Sequence, residues 1–256
     1  NMRVRNIVFA GLALGLFAGC GQQNSRDVSR VAAVFADADR PAEDRADDEL
    51  RKPGNVLAFI GIEPGMTVFE MEAGSGYYTE LFSALVGPDG EVIMQNPEAF
   101  DQFLADAVPT RVDGRLENVR VSKTNFDNLD AEDASVDIVT WMLGPHELYY
   151  TPNGGGSGSL GEVDETYAEI VRVLKPGGLF FALDHAAMSG APETTGGTTH
   201  RIDPAIVKAL AADAGLVLAG ESDVLRNADD NYDTNVFDPS VRRKTDRFLL
   251  KFKKPE

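Results

Sequence analysis

Val68-Phe69-Glu70-Met71-Glu72-Ala73-Gly74-Ser75-Gly76-Tyr77-Tyr78 is the stretch that decides the fold. Its apolar lead-in, Met66–Met71, reads as a short buried strand. Gly74-Ser75-Gly76 follows directly, and Tyr77–Leu85 then carries apolar residues at helical spacing. A strand that runs through glycines into a helix has the physics of a nucleotide cradle. Glycine lets the backbone turn sharply and approach a ligand, and the first turn of the helix offers unpaired N–H donors. Glu70 at the strand end adds a hydrogen-bond acceptor. Taken alone, Gly-X-Gly after a strand is often only a turn.

Working outward, the same alternation continues on both sides. Glu91–Met94, Val119–Val121, Val136–Met142 and Leu179–Leu183 read as further strands, with Leu216–Gly220 and Phe248–Phe252 as the last two. Helices are expected around Phe100–Ala107, over Thr166–Leu174 before Lys175-Pro176-Gly177-Gly178, and over Pro204–Ala214 before Gly215. Strands alternating with helices predict an α/β fold, a doubly wound and mostly parallel sheet. The final two strands lack a helix between them, so an antiparallel pair is expected at one edge. Upstream, residues 26–60 read as a helical cap, with a helix starting near Pro41 and a bend at Arg51-Lys52-Pro53. Residues 61–256 form the α/β core of the same single domain, 26–256. Asn153–Gly161, with five Gly and two Ser, reads as a flexible loop.

Three segments together resemble class I S-adenosylmethionine (SAM)-dependent methyltransferases: the opening stretch, Ser135-Val136-Asp137-Ile138-Val139, and Val171-Arg172-Val173-Leu174-Lys175-Pro176-Gly177-Gly178-Leu179. Their order and spacing agree with the family over roughly residues 53–253. The resemblance is strongest to uncharacterised predicted bacterial methyltransferases. It implies a seven-stranded Rossmann-like sheet with one antiparallel strand, and SAM over the carboxyl ends of the first strands. It places Glu70, Ala73, Gly74 and Gly76 on the methionine side of SAM, Asn96 at the ribose and Asn125 at the adenine. Asn96 and Asn125 stand where the family usually has acids, and Glu72 stands where glycine is common.

The chain has three histidines, and two of them are expected at the carboxyl ends of strands. His146 follows the fourth strand, His185 follows the fifth, and His200 precedes Arg201-Ile202-Asp203. In an open α/β sheet, ligands bind outside the carboxyl ends of the strands. His146 is the first candidate for a general base and His185 the second, since imidazole titrates near neutrality. Two other readings stay open: a metal site from the three histidines with Asp184 or Glu147, and histidines that only cap strands.

Composition bounds the partners. The 256 residues carry 24 Lys+Arg and 41 Asp+Glu, a net charge of −17, which argues against neutralising nucleic-acid phosphates. The segment after the fourth strand lacks the Asn-Pro-Pro-Tyr type found in enzymes that methylate base amines. A lone Cys allows no intramolecular disulfide. That Cys20 ends a basic start and an apolar run, Ile7–Ala18, and Phe17-Ala18-Gly19-Cys20 resembles the lipobox of bacterial lipoproteins. The resemblance implies a signal peptide over 1–19, lipidation of Cys20, a tether over 20–25, and a periplasmic, outer-membrane lipoprotein that touches the membrane through its lipid anchor only. The expected function is methyl transfer from SAM to a small-molecule O or N acceptor. The alternatives are an inactive methyltransferase-fold binding lipoprotein in the periplasm and a metal-dependent enzyme built on the histidines.

Overall fold

The computed structural model describes residues 29–37, 39–104, 106–151 and 160–256. The expected signal peptide, Cys20, the tether and most of the Gly-Ser tract lie outside the described residues. Among the described residues no helix is long and apolar enough to cross a membrane.

A seven-stranded sheet forms the centre: β1 (Thr67–Met71), β2 (Glu91–Gln95), β3 (Val119–Ser122), β4 (Val136–Met142), β5 (Leu174–His185), β6 (Val217–Ser222) and β7 (Arg247–Lys253). The strand order is β3-β2-β1-β4-β5-β7-β6. Strands β1 to β5 pair in parallel, and β7 runs antiparallel to both β5 and β6. The expected doubly wound sheet and its antiparallel edge are therefore both present. The order reverses between β1 and β4, which opens a crevice at their carboxyl ends.

Alternation along each strand splits the core into two layers. Phe69, Val139, Trp141 and Phe180 face one way, against Tyr167 and Ile170 of α7 (Val163–Val173) and Val207 of α9 (Pro204–Asp213). Val68, Ile138 and Phe181 face the other way, against α3 (Pro53–Ile60) and α4 (Tyr77–Val86) through Val56, Leu57, Leu81 and Phe82. The central strands read as continuous apolar runs because both of their faces are covered.

Two expectations change in detail. The single helix expected near Phe100–Ala107 is broken into a 3₁₀ turn (Glu98–Phe100), α5 (Asp101–Leu104) and α6 (Ala107–Val112). Pro109 has no N–H to continue a helix from α5, and it is tolerated only because it sits in the first turn of α6. Lys175-Pro176-Gly177-Gly178, expected as a stop between helix and strand, lies inside β5. The pairing with β4 jumps there from Val136–Leu174 to Ile138–Leu179, so the tract is an irregularity absorbed by the ladder.

The cap consists of a helix over 29–36 (α1), α2 (Ala42–Arg51) and α3, with Lys52 in the left-handed conformation at the bend. Charge fastens α2 to the core. Arg111 on α6 gives both terminal nitrogens to Asp44, at 2.6 and 3.1 Å, and one of them also reaches Glu80 at 2.9 Å. Tyr77 donates its hydroxyl to Asp48 at 2.7 Å, and Arg247 reaches the carbonyl of Leu50 at 2.8 Å.

Two buried ionisable groups bear on stability. Arg201 is fully buried and grips Asp230 through both terminal nitrogens, at 2.7 and 3.0 Å, while bonding the carbonyls of Ala186 and Thr234. It pins the 223–246 loop against the end of β5. Glu70, 1% exposed, accepts the hydroxyl of Thr79 within the β1–α4 packing. Burial pushes its pKa from 4.5 up to about 8, against the opposing pull of Thr79 and Arg111.

Removing one member of a buried pair leaves the other charge without a partner. Arg201→Met is therefore expected to lower unfolding free energy by about 3–5 kcal/mol, measured by urea denaturation. A loss below about 1 kcal/mol, typical of an exposed pair, would overturn this assignment. For Glu70, the folded chain keeps a proton that the unfolded chain releases above pH 4.5. Its contribution is therefore complete at low pH and is lost as pH rises toward about 8. Glu70→Gln should flatten the stability profile across that window by up to about 1.4 kcal/mol per pH unit. Parallel profiles for the two proteins would refute the shift.

Candidate active site

The glycine loop after β1 is held from beneath by the end of β2. Gln95 accepts the Glu72 N–H on its side-chain oxygen at 2.8 Å and the Ala73 N–H on its carbonyl at 2.9 Å. Asn96 clasps Gly74 with both ends of its amide, accepting from the N–H at 2.8 Å and donating to the carbonyl at 3.1 Å. Arg111 donates to the carbonyl of Ser75 at 2.9 Å. Gly74 and Gly76 both take positive φ, 59° and 87°. A methyl group added at Gly76 would lie 2.9 Å from the Arg111 side chain, whereas at Gly74 it would meet no atom within 4 Å. The loop therefore packs tightly on one side and faces open space on the other.

These contacts sort the residues expected around the cofactor. Ala73, Gly74 and Gly76 form the loop itself. Glu70 is turned away into the β1–α4 core, where Thr79 holds it. Asn96, expected at the ribose, is buried and spends its amide on Gly74. Asn125 is exposed after β3, on a turn closed by the Asn128 N–H to its carbonyl at 3.2 Å.

The histidines converge beyond β4 and β5. His146 sits in a 3₁₀ turn, Pro145–Tyr149, that follows β4. Asp184 ends β5 with no exposure at all. It accepts the His146 backbone N–H at 2.8 Å, pairs with His146 Nδ1 at 2.8 and 3.0 Å, and accepts the His185 N–H at 2.7 Å. The other ring nitrogen of His146 lies 3.2 Å from Glu147 Oε1 and 3.2 Å from His200 Nδ1. The His146 ring centre lies 6.2 Å from that of His185 and 5.2 Å from that of His200. His185 Nδ1 pairs with the Thr245 hydroxyl at 2.6 Å. On the β1 side, Glu72 accepts the indole N–H of Trp141 at 3.0 Å.

Charge is unevenly shared across this cluster. Burial alone would lower the pKa of His146, but Asp184 and then Glu147 outweigh it and hold the imidazole well above its ordinary value. His185 goes the other way, well below, through burial and then the charges of His146, Arg247 and Arg201. Burial and then Glu147 raise Glu72 well above the carboxylate range. Positive charge is thus favoured at His146 and disfavoured at His185, and negative charge is disfavoured at Glu72.

His146 and His185, both named from the sequence, fall in one cluster, and so does His200. The supports were harder to see. Gln95 and Trp141 carry no sequence signal beyond proximity to strand ends, Arg111 on α6 carries none, and Glu72 showed only as an acid where glycine is common. Asp184 and Glu147 were visible as acids beside histidines, but nothing in the sequence shows that Asp184 reaches across to the next strand.

Residues 70–182 match the protein family described as methyltransferase domain. A ubiquinone/menaquinone biosynthesis C-methyltransferase of Hydrogenovibrio crunogenus is 28% identical over 136 residues, 53% of this chain and 48% of that protein. The equivalent protein of a Shewanella species is 30% identical over 131 residues, 51% of this chain and 47% of that protein. The chain thus spans about half the length of the curated relatives it matches. A SAM-dependent methyltransferase from Aquifex aeolicus superposes with a TM-score of 0.58 at 20% identity, over 89% of this chain and 98% of that one. The chain therefore has the fold seen in that SAM-dependent methyltransferase structure, and its residues 70–182 match a methyltransferase-domain family.

Proposed function

We propose that this protein is a SAM-dependent methyltransferase acting on a small molecule. The observation that carries the reading is the glycine loop, locked underneath by Gln95, Asn96 and Arg111 and open above Gly74. The residues fit the cofactor on its methionine side, since Gly74 has room for a close-lying ligand. On the nucleoside side, Asn96 holds Gly74 with one N–H and one lone pair of its amide, and the exposed Asn125 is free to meet the adenine.

SAM, when bound, supplies an electrophilic methyl group. The chain's part is position and proton control. The crevice between β1 and β4 brings the loop and the histidine cluster to one rim. An O or N acceptor must lose its proton as the new bond forms. That proton becomes strongly acidic at this point, so a weak base suffices. His185, neutral and half-buried, fits that task, and Thr245 orients its ring. Asp184 and Glu147 favour positive charge at His146, so it is not the base for that proton. The relatives' name brings a second acceptor class, an activated carbon, which also releases a proton after methylation. Export and lipidation at Cys20 belong to the same proposal. They are supported by the basic start, the apolar run and Gly19-Cys20, and the mass of the amino-terminal peptide tests them.

Calorimetry with SAM and S-adenosylhomocysteine is the direct experiment. Wild-type protein is expected to bind in the micromolar range. Gly74→Asp fills the open side of the loop, and Asp tolerates positive φ, so it should fold yet bind at least about 100-fold more weakly. Absence of binding up to millimolar ligand, with the fold shown intact by circular dichroism, would overturn the proposal.

A further inference from the structure

Three ligand-type atoms close a nearly equilateral triangle at the end of β4. His146 Nε2 to His200 Nδ1 measures 3.2 Å, His146 Nε2 to Glu147 Oε1 3.2 Å, and His200 Nδ1 to Glu147 Oε1 3.5 Å. Ligands about 2.0–2.2 Å from a tetrahedral ion lie about 3.3–3.6 Å from one another, while adjacent octahedral ligands at about 2.1 Å lie about 3.0 Å apart. The observed edges favour the tetrahedral case. They fit two imidazoles and one carboxylate, a donor set that suits zinc-class ions.

The surroundings are those of a built site. Asp184 is fully buried and holds the far nitrogen of His146, which leaves Nε2 directed at the triangle. A carboxylate behind a metal-binding histidine fixes its tautomer and strengthens it as a ligand. The second oxygen of Glu147 is buried and has no hydrogen-bond partner. With Nδ1–H given to Asp184, a neutral His146 would turn a lone pair toward the carboxylate oxygen of Glu147, so a cation or a proton has to lie between them.

The fold also presses His200 into place. It adopts φ 56°, an uncommon value for a residue other than glycine. Its ring packs between Tyr150 and Phe237, with centroids 4.8 and 4.9 Å away. The helical turn before it, α8 (Gly196–Thr199), lies so close to the His146 turn that a methyl group at Gly196 would come within 2.4 Å of the His146 carbonyl.

We propose that His146, Glu147 and His200 bind a divalent transition-metal ion of the zinc class, with Asp184 as the outer partner of His146. Three protein ligands leave a fourth position for water or a small-molecule donor. Metal binding is read in the absence of SAM, so its test does not depend on methyl transfer.

Protein purified without chelator or histidine tag is analysed for metals, then stripped and titrated with Zn2+ and Co2+. The expected result is about one ion per chain, a visible spectrum of four-coordinate Co2+, and a Tm that rises on adding Zn2+. Asp184→Asn should weaken affinity about 10–100-fold. Glu147→Gln and His200→Asn should abolish both the spectrum and the Tm rise. His200→Asn keeps a residue that tolerates positive φ, so it guards against loss of fold, which circular dichroism checks. Three outcomes would each overturn the proposal: no transition-metal binding by folded wild type, binding unchanged in His200→Asn and Glu147→Gln, or binding of Mg2+ or Ca2+ alone.

Discussion

Asp184 is the group on which the site depends. It sits at the end of β5 without solvent contact and accepts from the His146 backbone, the His146 ring and the His185 backbone. A buried carboxylate is costly unless every lone pair finds a donor. Here the donors come from two neighbouring parallel segments, so satisfying one charge ties the turn after β4 to the end of β5. His146 is oriented by this bond, and Glu147 and His200 are then set around it. Against burial, the same carboxylate and Glu147 together favour positive charge at His146, and that charge in turn helps to lower the pKa of His185.

A second set of constraints acts at the glycine loop. Gln95 and Asn96, consecutive at the end of β2, take up the backbone N–H groups of Glu72, Ala73 and Gly74. Arg111 joins this loop to the cap by bonding Ser75, Asp44 and Glu80 together. The cap helix is thus coupled to the loop by charge as well as by apolar packing. The chain is acidic overall, so each buried arginine finds carboxylates readily. Arg201 does the same for the loop that closes the β5 end.

The layered sheet could be read from the chain because its signals are local. Apolar runs such as Met66–Met71 and Val136–Met142, punctuated by Gly and Pro, give strand identity without knowledge of neighbours. Local signals misled where a residue has two outcomes. Lys175-Pro176-Gly177-Gly178 has the composition of a stop, yet pairing with β4 carries it within a strand. The Phe100–Ala107 helix was expected from its apolar spacing, but the steric rule at Pro109 divides it. Asn96, which the resemblance places at the ribose, also holds the glycine loop. Its actual bonds to Gly74 depend on how closely two adjacent strand ends approach.

The sequence by itself determined the α/β class, the order of elements, the glycine loop and the location of His146 and His185 at strand ends. These follow from periodicity, turn chemistry and the rule that parallel strands end on one side. Tertiary structure alone decided what each polar side chain does there: which histidine holds a proton, which acid faces a neighbour, and which three atoms meet within 3.5 Å. Those outcomes rest on distances and burial between segments tens of residues apart, and electrostatic energy in a low-dielectric interior depends steeply on both.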